Sequence, residues 1–237
     1  MRGTLTVLAL ALLLPLGAAA QETSTASAAE IPTDKDLANT RCIIGEEKFL
    51  PSDYYYCLAA QSYGQKKYRY AVQFFKDAAG WGSKQAQYVL GVMALNGDHQ
   101  PVDRALALAW LSLAAERPGS RFAGPYNEVL KQSTPRERDA AKALLAKMAP
   151  VYADATAAAR AEARYTGGLA LLRNSTYYCM AGMWEPGREP SVDNASDGSS
   201  CPHVEVLAAQ LDKTAAEVFE GWQGHVAVGA LQPVNKP

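Results

Sequence analysis

A chain of 237 residues carrying 23 Lys and Arg against 24 Asp and Glu has a formal net charge of −1. That balance gives no footing for binding nucleic acid or an anionic membrane surface. The length suits one large domain or two small ones.

Reading from the N-terminus, MRGTLTVLALALLLPLGAAA has one Arg, then an apolar stretch from Leu5 to Leu16, then the small residues Ala18-Ala19-Ala20 ahead of Gln21. This pattern predicts a secretory signal peptide over 1–20. The apolar run is shorter than the ~20 residues a membrane span needs. No Cys follows the cleavage site, which disfavours a lipid anchor. The expected location is periplasmic or secreted, with no membrane insertion after cleavage. Losing Arg2 lowers the net charge by one.

Residues 21–40 are polar and without period and read as a disordered leader. In an exported chain, the even set Cys42, Cys57, Cys179 and Cys201 reads as disulfides. Of three connectivities, Cys42–Cys57 with Cys179–Cys201 is the most local, each loop contributing about 3 kcal/mol. A metal site at Cys201 and His203 would lack C-x-x-C spacing, and no cofactor or metal is expected.

From about Asp53 to Met148 the chain is Ala-rich and helix-patterned, with Gly and Pro at regular places. The second helices of two units align: AVQFFKDAAGWG (71–82) lies over ALAWLSLAAERPG (107–119) at an offset of 36. Ala71 matches Ala107, Phe74 matches Trp110, and Ala78-Ala79 match Ala114-Ala115. In the first helices Cys57 matches Leu90 and Gly64 matches Gly97, an offset of 33, and the loop NGDHQPVD absorbs the difference. Such a period marks stacked helical hairpins.

Ala86, Leu90-Gly91, Gly97, Asp103, Ala107, Trp110, Ala114-Ala115 and Gly119 resemble the Sel-one-like repeat, a relative of the tetratricopeptide repeat. Residues 84–119 carry the full pattern, with Ala94 where an aromatic is usual and Leu111 in place of Tyr. The unit at 52–82 matches mainly in its second helix, and 122–148 is degenerate. The resemblance implies a superhelix of stacked hairpins over 41–165, used for protein–protein interaction.

The residues agree with it on physical grounds. Ala86, Leu90, Gly91, Ala94 and Gly97 share one helical face, and small side chains there let a neighbouring helix approach. Gly97 is placed to stop its helix and Asp103 to start the next. Ser133 or Thr134 is placed to cap a third pair, with Pro135 at the first helical position and Glu137 three after Thr134 in a capping-box pattern, and its surface carries Arg136, Arg138, Lys142 and Lys147.

Pro150 is expected to interrupt, with a further helix at 151–165 lacking a strong apolar stripe. From Thr166 on, Gly167-Gly168, Tyr177-Tyr178 and the turn-rich 185–202 predict strands and loops. Residues 204–222 contain one helix, with Asp212 or Thr214 near its start, and 225–234 reads as a strand. The expected fold is therefore mainly α, with a mixed α/β C-terminal segment at 166–237. That segment reads either as a disulfide-closed cap over the solenoid end or as a recognition module around Tyr177, Tyr178, Met183 and Trp184.

No catalytic constellation is apparent. His99, His203 and His225 have no i, i+4 partner, and no nucleophile elbow or phosphate loop exists. His99 reads as a water-facing loop residue and Glu46-Glu47 as solvated charges. Binding has the better case. Gln85, Tyr88, Val92 and Leu95 lie opposite the packed face, and Tyr88 falls at the repeat position of Tyr55. The two tyrosines read either as a ladder on a concave surface holding a protein partner or as rings packed on a neighbouring hairpin. Phe74, Trp81 and Trp110 are assigned to packing. The expectation is a non-enzymatic scaffold or adaptor in the cell envelope. The rival is an envelope enzyme or regulator with its site in 166–237.

Overall fold

The computed structural model describes residues 32–174 and 204–224. The expected signal peptide over 1–20, the leader up to Ile31, the expected Cys179–Cys201 pairing, Tyr177, Tyr178, Met183, Trp184, His203, His225 and the expected strand at 225–234 lie outside them. The described chain is mainly helical, and no strand occurs among the described residues. It forms α1 (Asp34–Ala38), a 3-10 turn (Glu46–Lys48), α2 (Pro51–Gly64), α3 (Tyr68–Gly80), α4 (Lys84–Asn96) and α5 (Arg104–Ala114). Then follow α6 (Ala123–Lys131), α7 (Pro135–Tyr152), α8 (Ala157–Asn174) and α9 (Val204–Val218).

Helices α2 and α3 pack as one pair and α4 and α5 as another, with α3 against α4 and α7 against α5. Alanines dominate the seams: Ala59, Ala71, Ala78, Ala79 and Ala86 are buried in one cluster with Phe75, Leu90, Met93 and Trp110. A Cβ on Gly91 would lie 2.8 Å from Leu111 Cγ and 3.3 Å from the Ala107 carbonyl oxygen. The missing side chain is thus the space in which α5 lies. Gly97 ends α4 in the left-handed region at φ 71°, where glycine carries no Cβ penalty. Its counterpart Gly64 is not a turn residue. It remains helical, and a Cβ there would meet the backbone of α1 at 2.3 Å from Ala38 N. After α2 the left-handed position is instead Lys66, at φ 61°.

Helix capping follows the local chemistry. Ser83 accepts from Ala86 N–H and Asp103 from Leu106 N–H, while Thr134 and Glu137 complete a capping box on α7. Helix α6 packs on α5, so α5 receives both α6 and α7.

Four expectations change. The leader is helical at its end, because Thr33 and Asp36 form a capping box and α1 packs on α2. Pro150 does not end α7. The ring costs α7 one intrahelical bond, the one an N–H at 150 would have made to the Ala146 carbonyl, and the helix still continues two residues further to Tyr152. Thr166 does not begin strands, since α8 runs on through Gly167 and Gly168 to Asn174. Its buried residues Ala157, Ala158, Ala161, Tyr165, Gly168, Leu169 and Leu172 form a continuous stripe, built at first of alanines too small to stand out. Finally, α9 starts at Val204, placing Asp212 and Thr214 well inside it.

A second core joins these elements: Phe49, Leu50, Tyr165, Leu169, Leu172, Leu207, Leu211 and Phe219. Trp81 packs against it from one side, and Arg160 covers the Trp81 ring at 5.0 Å. The Cys42–Cys57 disulfide ties the segment before the 3-10 turn to α2.

Candidate functional site

One cleft of about 470 Å³ opens where the N-terminal ends of α2 and α4 meet the 117–122 loop and the C-terminal end of α9. Ser52 and Asp53 line it from α2, and Lys84 and Gln85 from α4. Arg117, Arg121 and Phe122 line it from the loop, and Thr214, Glu217 and Glu220 from the α9 end.

The wall is stiffened by a buried ionic network. Lys84 Nζ pairs with Glu116 and, at 3.0 Å, with Asp154 Oδ1, and it donates to the Leu113 carbonyl. Arg117 grips Asp154 through two donors, at 2.8 Å from Nε and 3.2 Å from Nη2. It also donates to the carbonyls of Val218 and Glu220 at 2.8 and 3.0 Å. A guanidinium at the C-terminal end of α9 satisfies carbonyls that the helix leaves open. Gln87, fully buried, donates to the Tyr152 carbonyl at 2.7 Å. These bonds connect the paired helices to the α7–α8 junction and to α9, and they use the donors of both buried cations.

Carboxylates line the cleft as well, Asp53 from α2 and Glu217 and Glu220 from the α9 end. Glu46 and Asp53 share a hydrogen bond between their carboxyl groups. Burial, then the charges of Asp53 and Glu47, push Glu46 up to about 8, so it holds its proton at neutral pH. Asp53 lies in the first turn of α2, where the helix dipole favours a carboxylate. Burial and the charge of Glu217 nevertheless raise it. Ser52 Oγ is buried with no hydrogen-bond partner. The reading of Glu46 as a solvated charge is therefore corrected: its residue is 4% exposed, and the carboxyl is shared with Asp53.

The predicted binding residues divide. Gln85 is exposed on the cleft wall. Tyr88 is half-buried and stacks on Phe122 at 4.9 Å, so it supports a ring that lines the cleft. Tyr55 is half-buried and stacks on Phe74 at 6.3 Å. Val92 is half-buried on α4. Thus each tyrosine takes a ring from a following element. The two partners are not repeat equivalents, because the equivalent of Phe74 is Trp110, which meets Tyr152 edge-on at 4.7 Å. His99 is not simply water-facing: it stacks on Tyr68 and pairs with Asp98 at 3.2 Å, while Tyr63 donates to Asp98. Sequence reasoning missed Asp53, Glu217 and Ser52. The signal was the polar pair Ser52-Asp53 inside the first turn of a helix that has no side-chain cap.

Comparisons of the chain with known protein families, with curated proteins and with solved structures find no match.

Proposed function

We propose that this chain is an exported binding module, a scaffold or adaptor of the bacterial cell envelope, that holds a partner protein at the cleft beside α4. The observation that carries the reading is Gln85. Singled out as part of the face opposite the packed seam, it lines the cleft together with Phe122, the ring on which Tyr88 stacks. In this reading the α2–α3 and α4–α5 pairs are units of a short Sel-one-like array, and the end of α9 closes one side of the cleft. The Cys42–Cys57 bond and the N-terminal apolar stretch support export. The chemistry favours binding over turnover, since Lys84 and Arg117 are committed to fixed partners.

Gln85→Trp tests it, because an exposed residue can be enlarged without opening the core. Capture of envelope proteins by the wild type should be lost in this variant while its helical circular dichroism and melting temperature stay unchanged. Capture that persists in Gln85→Trp, and disappears on deleting 175–203, would move the binding surface away from α4.

A further inference from the structure

We propose that the cleft is built to take a protonated primary amine, such as the side chain of a partner's lysine, between Asp53 and Glu217 and over Ser52. The inference rests on the reading of the cleft as the binding site and names the chemistry it selects.

Three observations carry it. First, the charges lining the cleft are unequally spent. Arg117 and Lys84 are fastened to Asp154, Glu116 and backbone carbonyls. Arg121 reaches over the Phe122 ring at 4.9 Å. Neither Asp53 nor Glu217 takes part in an ion pair among the described residues. They are near enough for the Glu217 charge to disfavour ionisation of Asp53, an arrangement that an added cation relieves. Second, Ser52 Oγ is buried on the same wall without a partner. A buried hydroxyl left unpaired is costly, and a donor from a ligand removes that cost. Third, the groups present suit an ammonium. Its three N–H donors match two carboxylates and a hydroxyl. Among the described residues, by contrast, no cluster of three or more His, Cys, Asp and Glu side chains is arranged for a metal ion. A volume of about 470 Å³ admits a lysine side chain with its neighbouring peptide groups.

The test is titration calorimetry on the mature chain with Nα-acetyl-lysine methylamide as probe. The Nε-acetylated and norleucine analogues serve as neutral controls. The lysine probe should bind at least about tenfold more tightly than either control, a difference expected for a charge-assisted contact. Glu217→Gln, at an exposed position, should lower affinity about tenfold, whereas Glu205→Gln, an equal charge change elsewhere on α9, should leave it unchanged. Ser52→Ala should weaken binding severalfold while raising the melting temperature, because it deletes the unpaired hydroxyl. Equal binding of the neutral analogues, no binding of the lysine probe, or an unaltered Glu217→Gln would overturn the amine assignment. Gln85→Trp separates the two ideas: if it still abolishes partner capture, the binding module stands with a different ligand class.

Discussion

The α2–α5 pairs and the α8–α9 closure are both helical, yet they are put together by different means. In the pairs, consecutive helices touch, the seams are alanine and glycine, and large residues such as Phe75 and Trp110 fill what the small ones leave. In the closure, leucines of α8 and α9 meet Phe49 and Leu50, which come from more than a hundred residues earlier in the chain. Local contact needs shape; distant contact needs something to fix position. Here that is the network of Lys84, Glu116, Arg117 and Asp154, which ties α4 and the α5 end to the α7–α8 junction and α9. The cleft exists only because the second region is held against the first.

The largest expected effect comes from breaking that joint. Asp154→Ala leaves Arg117 and Lys84 without their shared carboxylate in a buried setting, and should cost about 3–5 kcal/mol in urea unfolding. Binding at the cleft should fail before the α2–α5 pairs unfold, with α9 amides losing hydrogen-exchange protection first. Opening the Cys42–Cys57 bond comes next. Replacing both cysteines with serine should cost about 3 kcal/mol, as expected for a loop of 15 residues.

Glu46 sharpens the comparison through pH. Its folded-state pKa, raised from 4.5 to about 8, means the folded chain keeps a proton that the unfolded chain releases. Stability therefore falls as pH rises from about 4.5 to about 8, and Asp53, also raised, acts with the same sign. Glu46→Gln should flatten that slope and stabilise the protein by about 2 kcal/mol at pH 8.5, read from thermal melts across pH.

The smallest effects come from glycines, and they differ in sign. Gly91→Ala forces a Cβ against buried Leu111 and the Ala107 carbonyl, and should cost about 1–2 kcal/mol net of the gain in helix propensity. Gly168→Ala meets Phe49 Cδ1 at 2.7 Å and the Lys48 carbonyl oxygen at 3.0 Å, and should be comparably harmful. Its neighbour Gly167 has nothing within 4 Å, so Gly167→Ala should stabilise by about 0.5–1 kcal/mol. If both adjacent substitutions behaved alike in denaturant titrations, α8 would not be docked as described.

Much of the paired-helix region could be read directly from the residues. The helix starts at Asp103 and Thr134, the stop at Gly97 and the close approach at Gly91 are local chemistry or fixed spacing, and the structure carries each one. The Cys42–Cys57 pairing belongs with them, being a short loop between neighbours. The same habits misled further on. Gly167-Gly168 reads as a turn because glycine usually breaks helices, but Gly168 is there for Phe49, which nothing nearby in sequence announces. Gly64 aligns with a helix stop and is instead a contact for α1.

Alone, the sequence determined the helical periods, the caps and one disulfide, because these depend on residues within a few turns of one another. Only the tertiary structure decided that α8 continues past Thr166, that Glu46 and Asp53 are buried in a hydrogen bond with each other, and that Ser52, Asp53 and Glu217 line one cleft. Each of those depends on burial and charge contributed by distant segments, and no local pattern encodes which distant carboxylate will face Asp53.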